Sequence, residues 1–218
     1  MSAQVICISR SLAAGGEEIG QGVAARLGFR VIDSEIIERA AEKAELDPAR
    51  VAQTEQRQSL IRRLIASMVP AAVTAKLGAR YYAAYPVVAL TLGLSREERL
   101  RGLIREVIEE VAAEGRAVIV AHAASRQRHG RGGVLRVLIT ASPEERAERL
   151  VWASGLDRGI AEQAVRNSDS ERAHYFRRFY HLDAELPTHY DLVVNTDRLP
   201  PEEAVAIIVA AALGPAPP

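Results

Sequence analysis

Short apolar runs alternate along the chain with longer segments of helical periodicity. The first run, Val5–Ile8, is rich in β-branched residues and predicts a buried strand. Similar runs predict four further strands, at residues 29–32, 117–121, 135–140 and 192–195. Strands that are apolar on both faces are typical of a parallel sheet covered by helices on both sides. The pattern therefore predicts an α/β fold, a three-layer sandwich around a five-stranded parallel sheet.

Helices are predicted between these strands, at residues 17–27, 95–114, 142–153, 160–180 and 201–213. Gly28 ends the first of them, as glycine commonly does after a helix. Ser95 and Ser142 are N-cap residues, and Glu98 completes a capping box with Ser95. In a sheet of this kind ligands bind at the carboxyl ends of the strands, so the loops there are the candidate site.

Residues 47–94 contain no strand pattern and predict a helical insertion. The part from residue 60 to residue 94 is unusually apolar and includes Tyr81, Tyr82 and Tyr85. Aromatic residues are enriched at interface cores, so the pattern favours a homodimer contact through residues 60–94. Packing of the same segment against its own core is the alternative.

Composition narrows the class of protein further. The chain has 218 residues, with 28 basic and 28 acidic side chains, so its formal net charge is zero. A zero net charge argues against a nucleic-acid-binding protein, which needs a strong basic field. The single cysteine, Cys7, excludes an internal disulfide and lies in a buried strand. The chain shows no signal-peptide pattern and no run long enough to span a membrane, so we expect a cytoplasmic protein.

The loop after the first strand carries the strongest chemical signal. It ends in Gly15 and Gly16 directly before a helix, an arrangement that directs free backbone N–H groups toward an anion. The phosphate-loop pattern G-x-x-x-x-G-K-[ST] is not satisfied, because Gly16 stands in the lysine position and Glu17 in the position of the magnesium-binding hydroxyl. A plain tight turn without a ligand is the alternative reading.

Three segments, in order along the chain, resemble the cytidylate kinase-like family. They read VICISRSLAAGGEEIGQGVAARLGFRVIDSEIIERAA, AVIVAHAASRQRHGRGGVLRVLITASPEERAERL and DSERAHYFRRFYHLDAELPTHYDLVVNTDRLPPEEAVAII. The resemblance implies a P-loop fold like that of nucleoside monophosphate kinases, in a single domain. Its core would be residues 1–34, 95–155 and 190–213, with an acceptor-binding helical insertion at about 35–94 and a helical lid at about 156–185.

The resemblance also implies an activity, the transfer of the γ-phosphoryl group of ATP to a nucleoside monophosphate with Mg²⁺ as cofactor, and it suggests cytidine monophosphate as the acceptor. It implies that the loop would bind the donor phosphates, through Ala14, Gly15, Gly16, Glu17 and Glu18. Arg10, in the family's isoleucine-serine-arginine motif, would supply the positive charge that the missing lysine would have given.

The lid motif and the acceptor site are carried over in the same way. Asp169 and Arg172, three residues apart on one helix face, match the lid motif and are candidate catalytic residues. The residues expected to bind the acceptor are Asp33, Arg39 and His122. No protein metal site is predicted, because the spacing of the histidines fits no common ligand pattern.

This sequence departs from the family pattern after the third strand. Ala121 and His122 stand where the family has glycine and arginine, and Leu12, Ala13 and Ala14 replace glycine and serine in the loop. Phosphoryl transfer depends on positioning and charge neutralisation, so these changes would lower its rate. A non-catalytic nucleotide or anion sensor with the same fold, and a purely structural interaction module, are therefore the alternatives.

Overall fold

The computed structural model describes residues 2–32, 39, 106–120 and 133–214, without the side chains of residues 175, 178 and 179. It divides into two units, residues 1–31 with 115–218, and residues 32–114. The first unit holds nearly all of the described residues.

Five strands form one sheet: β1 (Val5–Arg10), β2 (Arg30–Ile32), β3 (Ala117–Val120), β4 (Val134–Thr140) and β5 (Leu192–Asn195). Their order across the sheet is β2-β3-β1-β4-β5. The central strand β1 runs parallel to both neighbours, with Val5 opposite Ala117 on one side and Val134 on the other. The predicted five-stranded parallel sheet is therefore confirmed.

The bounds of the other elements place the connections around the sheet. The helices are α1 (Gly16–Leu27), α2 (Pro143–Ser154), α3 (Arg158–Tyr180) and α4 (Pro201–Leu213), and a 3-10 helix spans Pro187–His189. Residues 106–114 are also helical. None of the helices that the structure describes is both long enough and apolar enough to cross a bilayer.

The first turns of α2 and α3 carry clear capping signals. The Ser142 hydroxyl accepts a hydrogen bond from the Glu145 amide at 3.3 Å, as the sequence predicts. Asp157 caps α3 by accepting from the Gly159 amide at 2.8 Å. Because of this cap α3 begins at Arg158, and the predicted start at residue 160 is two residues late.

The core lies on both sides of β1 and excludes water from it. Every residue of β1 is buried, including the free thiol of Cys7. Two glycines of α1 allow the helix to approach its neighbours closely. A Cβ atom on Gly20 would lie 2.6 Å from Val120 Cγ2, and one on Gly22 would lie 2.7 Å from Val205 Cγ2. α1 therefore packs directly against β3 and α4.

Several sequence-based predictions lie outside the described residues. They concern the insertion at residues 47–94, the homodimer contact through residues 60–94 and the start of the helix at Ser95. Within residues 106–114, Val107, Ile108 and Val111 are buried, which agrees with the apolar stripe of that predicted helix.

Candidate functional site

The loop between β1 and α1 has the backbone geometry of an anion-binding turn. Ala13 and Gly15 both adopt left-handed conformations, with φ of 59° and 80°, and the Ala14 amide closes the turn by donating to the Ser11 carbonyl at 3.2 Å. Gly15 is the N-cap of α1 and no side chain caps the helix there. The first amides of α1, at the positive end of the helix dipole, thus have no capping side chain among the described residues.

Two residues that are distant in sequence hold this loop in place. Arg149, on α2, donates to the Ala13 carbonyl at 3.3 Å and to the Thr196 hydroxyl at 3.0 Å. The Thr196 hydroxyl, just after β5, lies 3.0 Å from the Ala14 carbonyl and donates to it. These bonds attach the Ala13 and Ala14 carbonyls of the loop to α2 and to the segment after β5.

Arg10 stands at the end of β1 beneath the start of α1. Its side chain is 4% exposed and its Nε lies 2.7 Å from Oε1 of Glu17. Nη1 donates to the Val120 carbonyl at 3.4 Å, whereas buried Nη2 has no hydrogen-bond partner in the part of the chain that the structure describes. A Cβ atom on Gly16 would lie 2.6 Å from both Cβ and Cδ of Arg10, so Gly16 makes room for this side chain.

Arg172, on α3, joins its helix to the end of β1. It donates to the Arg10 carbonyl at 2.9 Å and to the Ser9 hydroxyl at 2.8 Å. Its other donors form a two-point ion pair with Glu185, at 2.7 and 2.8 Å, and Glu185 also accepts from the Tyr190 hydroxyl. The guanidinium group also lies 5.1 Å from the centre of the Phe176 ring. Arg172 therefore joins its own helix to two other segments, the end of β1 and the segment that follows α3.

Arg146 and Asp169 form a second bridge, between α2 and α3. Arg146 Nη1 and Nη2 contact the two carboxylate oxygens of Asp169 at 2.9 and 2.6 Å. Arg146 Nε donates to the Ala141 carbonyl at 3.0 Å, at the end of β4. The Arg146 side chain is 4% exposed, so nearly all of its charge is compensated by this one carboxylate.

A cavity of about 290 Å³ lies among these bridges. Its charged lining consists of two guanidinium groups and three carboxylates, from Arg146, Arg172, Asp169, Asp183 and Glu185. Hydroxyl groups of Ser11 and Thr140, 3.4 Å apart, lie at its wall beside the glycine loop. Since both arginines are paired with carboxylates, the cavity is polar without being strongly basic.

The comparison with family models decides the family. The model of the cytidylate kinase-like family matches residues 5–198, which is most of the chain. The chain belongs to the cytidylate kinase-like family. The resemblance seen in the three sequence segments is thereby confirmed.

The individual proteins to which this chain is similar have low sequence identity to it or match only part of its length. It is 32% identical over 77 residues to a cytidylate kinase of Archaeoglobus fulgidus, and the match covers 35% of this chain and 43% of that relative. The chain thus spans less than half the length of the curated relative that it matches.

An uncharacterized protein from Eubacterium ventriosum superposes with a TM-score of 0.62 at 13% identity, over 95% of this chain and 97% of that chain. A shikimate kinase from Bacteroides thetaiotaomicron aligns with a TM-score of 0.48 at 14% identity, over 94% and 95% of the two chains. The likeness to the Eubacterium ventriosum protein concerns the fold alone.

The residues that the cytidylate kinase-like resemblance suggests for donor binding and catalysis lie in two places. The residues suggested for donor binding are contiguous, from Ala14 to Glu18, in the loop and the first turn of α1. Arg10 contacts this group through Glu17. Asp169 and Arg172 lie together on α3 at the cavity, each in a two-point ion pair. Arg172 links the two places through its contact with the Arg10 carbonyl.

The residues suggested for acceptor binding are described only in part. Arg39 belongs to the second unit, where its Nη1 lies 3.8 Å from Oε1 of Glu114. Asp33 and His122 lie outside the described residues. Their roles stay predictions.

The chemistry of the loop fits the magnesium ion that a cytidylate kinase-like enzyme would use. Mg²⁺ is usually held by one or two carboxylates together with substrate phosphates and water. Among the described residues no group of three or more acidic, histidine or cysteine side chains is placed to hold a metal alone. The Glu17 carboxylate, 33% exposed in the first turn of α1, is a hard oxygen donor beside the first amides of that helix. The donor set suits a metal held jointly by nucleotide and protein.

Sequence reasoning missed the residues that hold this site together. Arg146, Arg149, Glu185 and Thr196 all make bonds to predicted site residues or to the loop. Arg146 and Arg149 lie three residues apart on α2, a spacing that puts both side chains on one helix face. This spacing is the sequence signal from which the two arginines could have been predicted. Nothing local in the sequence marks Glu185 or Thr196.

Proposed function

We propose that this protein is a phosphotransferase that moves the γ-phosphoryl group of ATP to a nucleoside monophosphate, with cytidine or deoxycytidine monophosphate as the acceptor. An oxygen of the acceptor phosphate would form a bond to the γ-phosphorus as the bond from that phosphorus to the β–γ bridging oxygen breaks. The products are ADP and the nucleoside diphosphate. We also expect the protein to act in the cytoplasm.

The observation that carries this proposal is the geometry of the loop. The amides at the start of α1, which no N-cap side chain bonds, are next to the left-handed Gly15 and to the buried side chain of Arg10, on which Gly16 packs. This place is suited to the oxygens of a phosphate group, because backbone N–H groups and the helix dipole both favour negative charge.

The residues of α3 support the positioning that this reaction requires. Little covalent chemistry falls to the protein in phosphoryl transfer, so its rate depends on how rigidly the charged groups are placed. The bonds of Arg172 to Ser9 and Arg10 attach α3, the helix proposed as the lid, to the end of β1 next to the loop. Mg²⁺ bound with ATP would supply neutralisation of the phosphate charge.

A coupled assay of ADP formation across ribo- and deoxynucleoside monophosphates tests the proposal. We expect turnover with cytidine or deoxycytidine monophosphate, and we expect Arg10→Met to lower kcat/KM by roughly a hundredfold or more through lost charge stabilisation. Arg158→Met is the matched control, because the Arg158 side chain is 62% exposed and distant in sequence from the loop. If no turnover above background is measured at millimolar concentrations of the acceptor, the proposal that this protein is an enzyme is wrong.

One observation favours a second candidate, a nucleotide sensor without catalysis. Gly16 occupies the place of the phosphate-binding lysine, and the charge of Arg10 is partly compensated by Glu17. Calorimetry with a nucleotide panel separates the candidates. Tight nucleotide binding that needs no Mg²⁺ and gives no turnover would favour the sensor.

A further inference from the structure

We propose that Arg10 and Glu17 exchange partners when a nucleotide binds: Arg10 takes a phosphate oxygen, and the released Glu17 carboxylate becomes a ligand of the divalent cation bound to that nucleotide. This inference rests on the proposed function, since it concerns the same loop. It assigns to Glu17 a role that replaces the hydroxyl of the usual phosphate-loop pattern.

The first observation behind it is the ion pair itself. Arg10 Nε and Glu17 Oε1 are 2.7 Å apart, and Glu17 lies in the first turn of α1, where a phosphate would approach. The Arg10 side chain is nearly fully buried, whereas a third of the Glu17 side chain is exposed. Glu17 can therefore turn toward solvent while Arg10 stays in place.

The second observation is independent of the first. Arg10 Nη2 is buried and lacks a hydrogen-bond partner within the described residues, and the bond from Nη1 to the Val120 carbonyl is long at 3.4 Å. Buried guanidinium donors are normally satisfied, and a planar guanidinium is suited to two-point contact with phosphate oxygens. The unfilled donors beside the uncapped helix start point to an anionic ligand there.

The negative charge of Glu17 determines whether the anionic ligand needs a bound cation. A carboxylate on Arg10 repels a bare polyphosphate and occupies the guanidinium that the polyphosphate needs. A divalent cation on the nucleotide removes both obstacles, because it is attractive to the carboxylate and draws it from Arg10. Nucleotide binding by this loop should therefore depend on the divalent cation far more than in a loop with a hydroxyl at this position.

The experiment is calorimetric titration of ATP into the full chain, with EDTA and with Mg²⁺, for the original protein, Glu17→Gln and Glu202→Gln. Glu202 is the matched control, because it is an exposed carboxylate in the first turn of another helix, α4. In the original protein and in Glu202→Gln we expect Mg²⁺ to tighten binding by roughly tenfold or more, as expected for a charge-assisted contact. In Glu17→Gln we expect metal-free ATP to bind about tenfold tighter, and Mg²⁺ to add little, because the cation has lost its protein ligand.

Each other result has a definite meaning. If Glu17→Gln tightens ATP binding by the same factor with and without Mg²⁺, Glu17 only repels phosphate and the inference is wrong. If Glu17→Gln and Glu202→Gln behave alike, the inference is also wrong, while the proposed function stands. If none of the three proteins binds ATP in either condition and all three unfold cooperatively on heating, the proposed function itself fails.

Discussion

Arg146 and Asp169, 23 positions apart in sequence, meet through two hydrogen bonds of 2.9 and 2.6 Å that join α2 to α3. Only one of the two charges is shielded from water. The Arg146 side chain is 4% exposed and the Asp169 side chain 42% exposed, so the guanidinium depends on the carboxylate more than the reverse. The pair therefore affects stability as well as the position of α3.

Removal of the carboxylate should destabilise the protein. For Asp169→Asn we expect the free energy of unfolding to fall by about 1–3 kcal/mol, because buried Arg146 keeps its charge and loses its counter-ion. Urea unfolding followed by circular dichroism measures the change. Glu162→Gln, on the exposed face of the same helix, is the control and should change stability by less than about 0.5 kcal/mol. Equal effects of the two substitutions would contradict this account of the pair.

A lysine in place of Arg172 should loosen the segment that follows α3. A single ammonium group cannot bond Glu185 at two points and also reach Ser9 and the Arg10 carbonyl. Hydrogen exchange by mass spectrometry should show amides of residues 182–190 exchanging about tenfold faster in Arg172→Lys. Arg166→Lys, at an exposed arginine that pairs with Glu162 of the same helix, should leave this segment unchanged. Unchanged exchange in Arg172→Lys would show that Arg172 does not hold the segment.

The contribution of Glu171 to the free energy of unfolding should be unfavourable at neutral pH and should disappear at acidic pH. Burial raises the pKa of Glu171 above its ordinary value of 4.5. The ionised carboxylate is therefore disfavoured in the folded state, and this penalty disappears as the pH falls through the raised pKa toward 4.5. We expect Glu171→Gln to raise the urea midpoint at pH 7, with the difference vanishing by about pH 4, near the unfolded pKa. An equal gain at both pH values would indicate a cause other than ionisation.

The contribution of Asp197 to stability should depend on pH in the direction opposite to that of Glu171. The hydrogen bond that its carboxylate accepts from the Ser142 amide, at 2.6 Å, lowers the pKa of Asp197 below 3.8. Its contribution to stability is complete above that ordinary value and is lost as the pH falls through the lowered pKa. Asp197→Asn should therefore lower the urea midpoint at pH 7, and the two proteins should converge only as the pH falls below the lowered pKa of Asp197. A constant difference over this range would contradict the prediction.

Gly16→Ala should test the fit between the glycine loop and Arg10. Alanine in a helix gains about 0.5–1 kcal/mol over glycine. Its Cβ atom would lie 2.6 Å from Cβ and Cδ of Arg10, and overpacking of this kind costs about 1–3 kcal/mol. We therefore expect a net loss of unfolding free energy together with weaker ATP binding. Gln21→Ala, exposed on the same helix, should leave both quantities unchanged. A stabilised Gly16→Ala variant would show that Arg10 moves aside at little cost.

The sheet could be predicted from sequence because its signals are local. Apolar β-branched runs such as Val5–Ile8 and Leu192–Asn195 identify their own strands, and the Ser142 cap marks the start of α2 within three residues. The glycine loop was predicted for the same reason. Each of these features depends on neighbours along the chain.

The partners of the charged residues could not be predicted in this way. Whether Arg10 meets Glu17 depends on the path of the loop between them, and whether Arg172 meets Ser9 depends on how α3 packs, 163 positions away. A sequence read locally identifies which arginines are available for anions. It does not show which of them a carboxylate already occupies.

The anchoring of the glycine loop by Arg149 and Thr196 has a consequence for synthesis. The ribosome makes residues 11–16 early, but Arg149 follows Ala13 by 136 positions and Thr196 follows Ala14 by 182. The loop carbonyls therefore lack their final partners until β5 has left the ribosome. We therefore expect a nascent chain that carries the β1 and α1 sequences but not β5 to bind no nucleotide at this loop.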